Sequence, residues 1–295
     1  MSSPIKNAFT VDVEDYFQVA AFDRHIDRDN WDTLECRVEK NVEQLLTMLA
    51  QADAKATFFT LGWIAERYPR LIQSISAAGH EVASHGYGHQ KATTQNQQQF
   101  REDVLRAKGI LEDITGEPVR GYRAPSFSIA AENLWVHDVL ATTGHDYSSS
   151  IYPVRHDHYG IPDADRFVHK TDSDLVEIPL TTVPILNRNI PAAGGGYFRL
   201  MPYSLSAWMI KRVNQRENKS AIFYCHPWEI DADQPKVAQA SAKSRFRHYV
   251  NLAHMQDRLS RLLQDFQWDR VDSVFADHLP ASQKLTGAKP LVYEA

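Results

Sequence analysis

Two histidines four residues apart, His85 and His89 in SHGYGH, offer imidazole nitrogens that suit a divalent transition metal. With 13 histidines in 295 residues, chance supplies roughly 0.6 pairs at this spacing, so the pair alone also reads as two surface loop histidines. Three acids, Asp12, Glu14 and Asp15 in TVDVEDYF, interrupt a strand-like run. They read either as solvated strand-end acids or, if buried, as groups that need a cation or a metal beside them. Two histidines and one carboxylate form a catalytic ligand set that leaves a position open for water. Zinc suits that set, and cobalt, nickel or iron also fits it. Arg123 in YRAPSF offers a cation for the acids, although alone it reads equally as a surface arginine. His226 follows AIFYC and precedes Pro-Trp-Glu. It reads as a structural histidine or, opposite a carboxylate base, as a general acid. Cys225, inside an apolar strand, reads as a buried side chain and not a nucleophile.

These residues must be brought together by elements far apart in sequence. Runs of β-branched and aromatic residues predict strands at 8–13, 56–61, 81–84, 121–123, 146–148, 175–178, 221–225 and 271–275. Helical spacing predicts helices over 38–52, 63–78 with a break near Pro69, 100–111, 132–143, 203–216 and 252–266. Strands alternating with helices imply a parallel sheet with right-handed crossovers. Seven or eight such units predict an α/β fold, a distorted (β/α) barrel of seven or eight parallel strands in one domain over 1–295, with an open doubly wound sheet as the alternative. The chemistry-bearing residues then sit at the C-terminal ends of strands, the face where barrel enzymes build their sites. The Gly194–Gly196 run carries neither a P-loop lysine nor a helix-start signal after it.

Composition narrows the class. Apolar residues make up 43% and charged residues 23% of the chain, ordinary globular usage. Lys plus Arg number 32 against 37 Asp plus Glu, a formal charge of −5, which argues against a nucleic-acid platform. Two cysteines, Cys36 and Cys225, are too few for a disulfide framework or a cysteine zinc site. The sequence has no run long enough to span a membrane and no apolar stretch near Met1 to serve as a signal peptide. A cytoplasmic location is therefore expected, with oligomeric state unread.

The ordered set TVDVED, SHGYGH, YRAPSF and CHPWEID resembles the polysaccharide deacetylase family, carbohydrate esterase family four. The segments HPWEID and GGGYFRL further resemble a bacterial subgroup tied to exopolysaccharide and exosortase systems. The resemblance implies a polysaccharide deacetylase-type barrel and removal of N-acetyl groups from an amino-sugar saccharide. It implies that His85 and His89 bind the metal, with Glu14 or Asp15 as the carboxylate ligand. It makes Asp12 the general base, held by Arg123, and His226 the acid that protonates the leaving amine. It places the backbone N–H of Ser126 at the oxyanion. Trp228 is a substrate candidate, since aromatics near strand ends can stack on sugars, as can Tyr16, Phe17, Trp63, Tyr87 and Phe127. Arg199 and Glu177 are further residues that could reach the mouth.

Two departures follow from the same comparison. The family has adjacent acids, where this chain has Asp12-Val13-Glu14-Asp15; an offset pairing would make Glu14 the base and Asp15 the ligand. The family often has an aspartate that tunes the last histidine; near its place this chain has Ser148, with Asp146 two residues earlier. The alternatives are a metal-free cyclic imide or ureide hydrolase of the same superfamily, and a non-catalytic glycan-binding barrel.

Overall fold

A computed structural model describes residues 5–156 and 160–281. Its strands are β1 (Lys6–Val13), β2 (Thr57–Thr60), β3 (Glu81–Ser84), β4 (Gly121–Tyr122), β5 (Tyr147–Ser148), β6 (His169–Lys170), β7 (Val176–Glu177), β8 (Thr182–Ile185), β9 (Arg188–Pro191), β10 (Ile222–Cys225) and β11 (Gln267–Asp269). Its helices are α1 (Val38–Gln51), α2 (Gly62–Arg67), α3 (Pro69–Ala77), α4 (Gln97–Thr115), α5 (Val136–Thr142), α6 (Gly195–Leu200), α7 (Tyr203–Arg216), α8 (Ala242–Tyr249), α9 (Met255–Asp265) and α10 (Val271–Val274).

The main sheet runs β10-β1-β2-β3-β4-β5-β7-β6, and β11 also pairs with β1. Eight of these strands run parallel, and only β6 joins its neighbour antiparallel. The sheet curls into a half-barrel. No ladder joins β7 to β10 among the described residues. The chain around the β8–β9 hairpin lies there instead: Ile222 donates its N–H to Thr181 Oγ1 at 2.6 Å and Tyr224 donates to the Ala193 carbonyl at 2.8 Å.

Several elements differ from the sequence reading. The last strand was expected at 271–275, but those residues open the short helix α10, and the strand falls earlier, at β11. Helix α6 does begin within the glycine run, at Gly195. Among other things, the glycines allow close approach: a Cβ on Gly195 would lie 2.1 Å from Glu229 Oε2. The hairpin and α8 carry no strong period; α8 buries only His248.

Strand parity positions the site. Successive side chains of a strand point to opposite faces. On β1, Ala8 packs with Phe59, Ala83, Ile222 and Tyr224 in the cluster inside the half-barrel. Phe9, Val11 and Val13 pack instead with the helices, in the same cluster as Val42, Leu45 and Ile64. Continuing the inner set by twos from Ala8 reaches Thr10, Asp12 and Glu14. Continuing from Ala83 reaches His85, and from Tyr224 reaches His226. One apolar interior thus carries a polar layer at its C-terminal end, as a parallel barrel should.

Candidate active site

Glu14, His85 and His89 each offer a ligand atom, and these atoms lie within 4.8 Å of one another; all three residues are buried. His85 Nδ1 lies 2.8 Å from the Arg123 carbonyl. That contact makes Nδ1 the protonated nitrogen and leaves the Nε2 lone pair for a ligand. Burial pushes the His85 pKa down to about 4, so the ring stays neutral. His89 Nε2 lies 2.8 Å from Glu14 Oε2, yet Glu14 Oε2 has no hydrogen-bond partner although buried. Burial opposes ionisation of Glu14, but His89 and His226 outweigh it and hold the carboxyl at about 2. A buried, ionised oxygen facing two imidazoles is a donor set that a divalent cation would satisfy.

Asp12 stands two residues before Glu14 on the same face of β1. Its Oδ1 accepts a hydrogen bond from Arg123 Nη1 at 2.6 Å. Arg123 is completely buried, and its guanidinium is fixed on every side. It donates to Thr10 Oγ1 at 2.7 Å, to the Ser149 carbonyl at 3.0 Å and to Ser149 Oγ at 3.0 Å. It also lies 4.0 Å over the Phe59 ring. The ion pair therefore fixes the position of Asp12 at the edge of the triad.

His226 closes the opposite side, with Nε2 3.9 Å from Asp12 Oδ2 and 3.5 Å from Glu14 Oε1. Its Nδ1 lies 2.6 Å from Glu229 Oε1. Glu229 in turn accepts from Arg199 Nε at 2.9 Å, and Arg199 is 1% exposed. Burial works against charging His226, but Glu14, Glu229 and Asp12 prevail and lift it to about 9. Trp228 stacks on the His226 ring at 5.1 Å and donates its indole N–H to Glu14 Oε1 at 3.2 Å. The segment HPWEID thus supplies an imidazole, the acid behind it and an indole that orients Glu14.

Other candidates fall elsewhere. Asp15 does not join the triad. Having the opposite parity to Glu14, it faces the helix layer, where it accepts from the N–H groups of Tyr16, Arg37 and Val38 and from Cys36 Sγ. It anchors the start of α1. Trp228 lines the cavity, is 6% exposed and donates its indole N–H to Glu14. Arg199 does not reach the mouth, and neither does Glu177, whose carboxylate accepts from the Ser150 and Ile151 N–H groups and faces His137. Ser148 bonds to Ser150 on that outer side and is not the partner of His226. Phe17 and Trp31 pack at a tilt, each meets Trp63 edge to face, and Tyr87 donates to Glu66. Cys225 is buried, and burial raises its thiol pKa well above the usual value.

The site floors a cavity of about 670 Å³. Ser126 and Phe127 line it, both at positive φ (55° and 53°). Backbone strain of this kind at non-glycine residues is tolerated where the surrounding packing enforces it, often beside a reacting group.

Residues 27–146 match the polysaccharide deacetylase family, and residues 149–276 match a domain of unknown function, DUF3473. Over that first segment the chain is similar to polysaccharide deacetylases. It is 31% identical over 91 residues to a peptidoglycan-N-acetylglucosamine deacetylase of Bacillus cereus, covering 31% of this chain and 33% of that one. It is 28% identical over 113 residues to a peptidoglycan deacetylase of Helicobacter pylori, 38% of each chain. It is 34% identical over 101 residues to a chitooligosaccharide deacetylase of Sinorhizobium fredii, 34% of this chain and 44% of that one. The chain thus spans less than half the length of these curated relatives. A Mycobacterium smegmatis structure, provisionally assigned as a polysaccharide deacetylase, matches 99% of this chain and 95% of its own at TM-score 0.60 and 22% identity; this is a likeness of fold. The triad histidines and Arg123 come from the first segment. His226, Glu229 and Arg199 come from the segment whose family has no known function.

Proposed function

We propose that this protein is a metal-dependent hydrolase that removes N-acetyl groups from an amino-sugar saccharide. The observation that carries this reading is the Asp12–Arg123 ion pair standing beside the Glu14–His85–His89 triad, with His226 facing both acids. Glu14, His85 and His89 would hold the metal; the mixed nitrogen and oxygen donors suit zinc, and cobalt, nickel or iron is compatible. A divalent ion there would acidify water and polarise an acetamide carbonyl.

Asp12 accepts the proton of the attacking water. Arg123 orients the Asp12 carboxylate for that step. The Ser126 N–H, on the cavity wall, donates to the oxygen that becomes negative as the carbonyl turns tetrahedral; one such donor contributes about 3 kcal/mol. His226 Nε2 gives its proton to the amine as the C–N bond breaks. Glu229 stabilises the charged imidazole until then, and Arg199 holds Glu229 in place. A role in exopolysaccharide biosynthesis rests on the HPWEID and GGGYFRL segments, whose residues pair across the site as Glu229 with Arg199.

Acetate release from N-acetylated oligosaccharides tests the reading, measured after chelation and again after zinc or cobalt is restored. Metal-restored release is expected. Metal binding without release from any saccharide favours a glycan-binding barrel, and release that chelation leaves untouched favours a metal-free amidohydrolase.

A further inference from the structure

The cavity above the triad has a rim of a different character from its floor. Two walls meet there. One is the segment after β1, which contributes Arg24 and His25, together with Lys91 beyond His89. The other is α8, which contributes Lys243 and Arg247, one helical turn apart, with Ser244 between them. Arg24, Lys91, Lys243 and Arg247 therefore gather at one rim, where Asp23 lies 3.7 Å from Lys91. In a chain of net charge −5, such a concentration is not the average surface. Arg24 and Arg247 are exposed, and among the described residues no carboxylate lies within ion-pair distance of either.

The α8 wall is also held rigidly to the floor. His248 stacks on Trp228 at 4.1 Å, and the buried Arg199 donates to the carbonyls of His248 and Val250 at 2.8 Å each. The residue that braces Glu229 thus fixes the helix that presents Lys243 and Arg247. A neutral sugar has no use for such charge. A cleft lined by one sign focuses the field on an opposite charge in its ligand, and guanidinium groups match the planar or tetrahedral oxygens of carboxylate and phosphate.

We infer that the saccharide taken by this site is anionic, carrying a carboxylate or phosphate close to the N-acetyl sugar, which the Arg24, Lys91, Lys243 and Arg247 rim binds. This rests on the proposed deacetylase activity for its route of assay but not for its binding test. The experiment compares three N-acetylated oligosaccharides of equal length: one neutral, one bearing a single carboxylate, one bearing a single phosphate. Acetate release by the metal-loaded protein is measured at low and high salt, for the wild type and for the Arg24→Gln/Arg247→Gln double variant.

The expected result is a kcat/KM at least tenfold higher for one charged sugar than for the neutral one, an advantage that shrinks with salt. In the double variant the ratio of charged to neutral turnover falls at least several-fold; a ratio is insensitive to a general loss of folded protein. Which charged sugar wins identifies the anion. Equal use of neutral and charged sugars at every salt concentration, or an unchanged ratio in the double variant, overturns the inference. If none of the three releases acetate, the deacetylase reading fails, and calorimetric binding of the same sugars still decides this one. Tighter binding of a charged sugar supports it, and equal binding overturns it.

Discussion

Glu229 Oε1 lies 2.6 Å from Nδ1 of His226, three residues before it on the same turn. The carboxylate and the imidazole cap one another's segment: the His226 N–H also reaches Glu229 Oε1, at 3.3 Å. Arg199 completes the row from behind. The imidazole is therefore oriented by a residue that belongs to its own loop, and not by one from the β5 region. Glu229→Gln should keep the fold and lower kcat by about 10- to 100-fold. Its basic limb in a kcat–pH profile should move to lower pH, because a negative neighbour that favours the charged ring is gone. An unchanged profile would remove Glu229 from the mechanism.

Gly195→Ala tests the same arrangement without touching a charge. The new Cβ would meet both oxygens of Glu229, at 2.1 and 2.4 Å. Activity should fall in parallel with Glu229→Gln while metal content stays at the wild-type level. Full activity would show that Glu229 can move without consequence.

Asp12 and Glu14 should separate chemistry from binding. Asp12→Asn is expected to bind metal at wild-type stoichiometry and lose turnover by about 10²- to 10⁴-fold. Glu14→Ala should lose metal affinity itself, as read by titration with a competing chelator. If Asp12→Asn loses the metal and Glu14→Ala retains it, the two roles are reversed.

Asp15→Ala should leave metal stoichiometry unchanged and cost stability. The carboxylate takes backbone N–H donors from Tyr16, Arg37 and Val38, and leaving buried donors unmet costs about 1–3 kcal/mol. Urea midpoints measure the loss. A fall in bound metal at unchanged stability would return Asp15 to the ligand set.

At the other end of the half-barrel, burial and the neighbouring Asp272 carboxylate push Glu81 up to about 7. It accepts from Thr57 Oγ1 and Tyr147 Oη. The folded pKa exceeds the unfolded one, so the folded state binds the extra proton. This contribution is complete below about pH 4.5 and is lost as pH rises through about 7, up to about 3 kcal/mol in all. Urea midpoints should therefore fall between pH 5 and pH 8, and the fall should be smaller in Glu81→Gln. Equal slopes in the two proteins would show that Glu81 titrates normally.

Much of this was legible in the chain. Residue types at strand ends gave Asp12, His85, His89, Arg123 and His226, and strand–helix alternation placed them on one face. Pattern reading failed where local sequence says little. Helix α8 has charged and polar residues on nearly every position, so it shows no apolar stripe. Glu177 was a residue that could reach the mouth, but its parity points it at His137 on the helix side.

The sequence by itself determined which groups are available and, through the period of two along each strand, which of them can share an interior. It left both Glu14 and Asp15 as ligand candidates, because Glu14 shares the face of Asp12 only if the strand stays regular to its end. The tertiary structure decided that: β1 turns Glu14 toward the histidines and Asp15 toward the amides that open α1. It also joined Arg199 to Glu229 and set α8 over the cavity. Those contacts span 30 to about 50 residues of chain, and no local propensity encodes a pairing that only the closing of the sheet brings within reach.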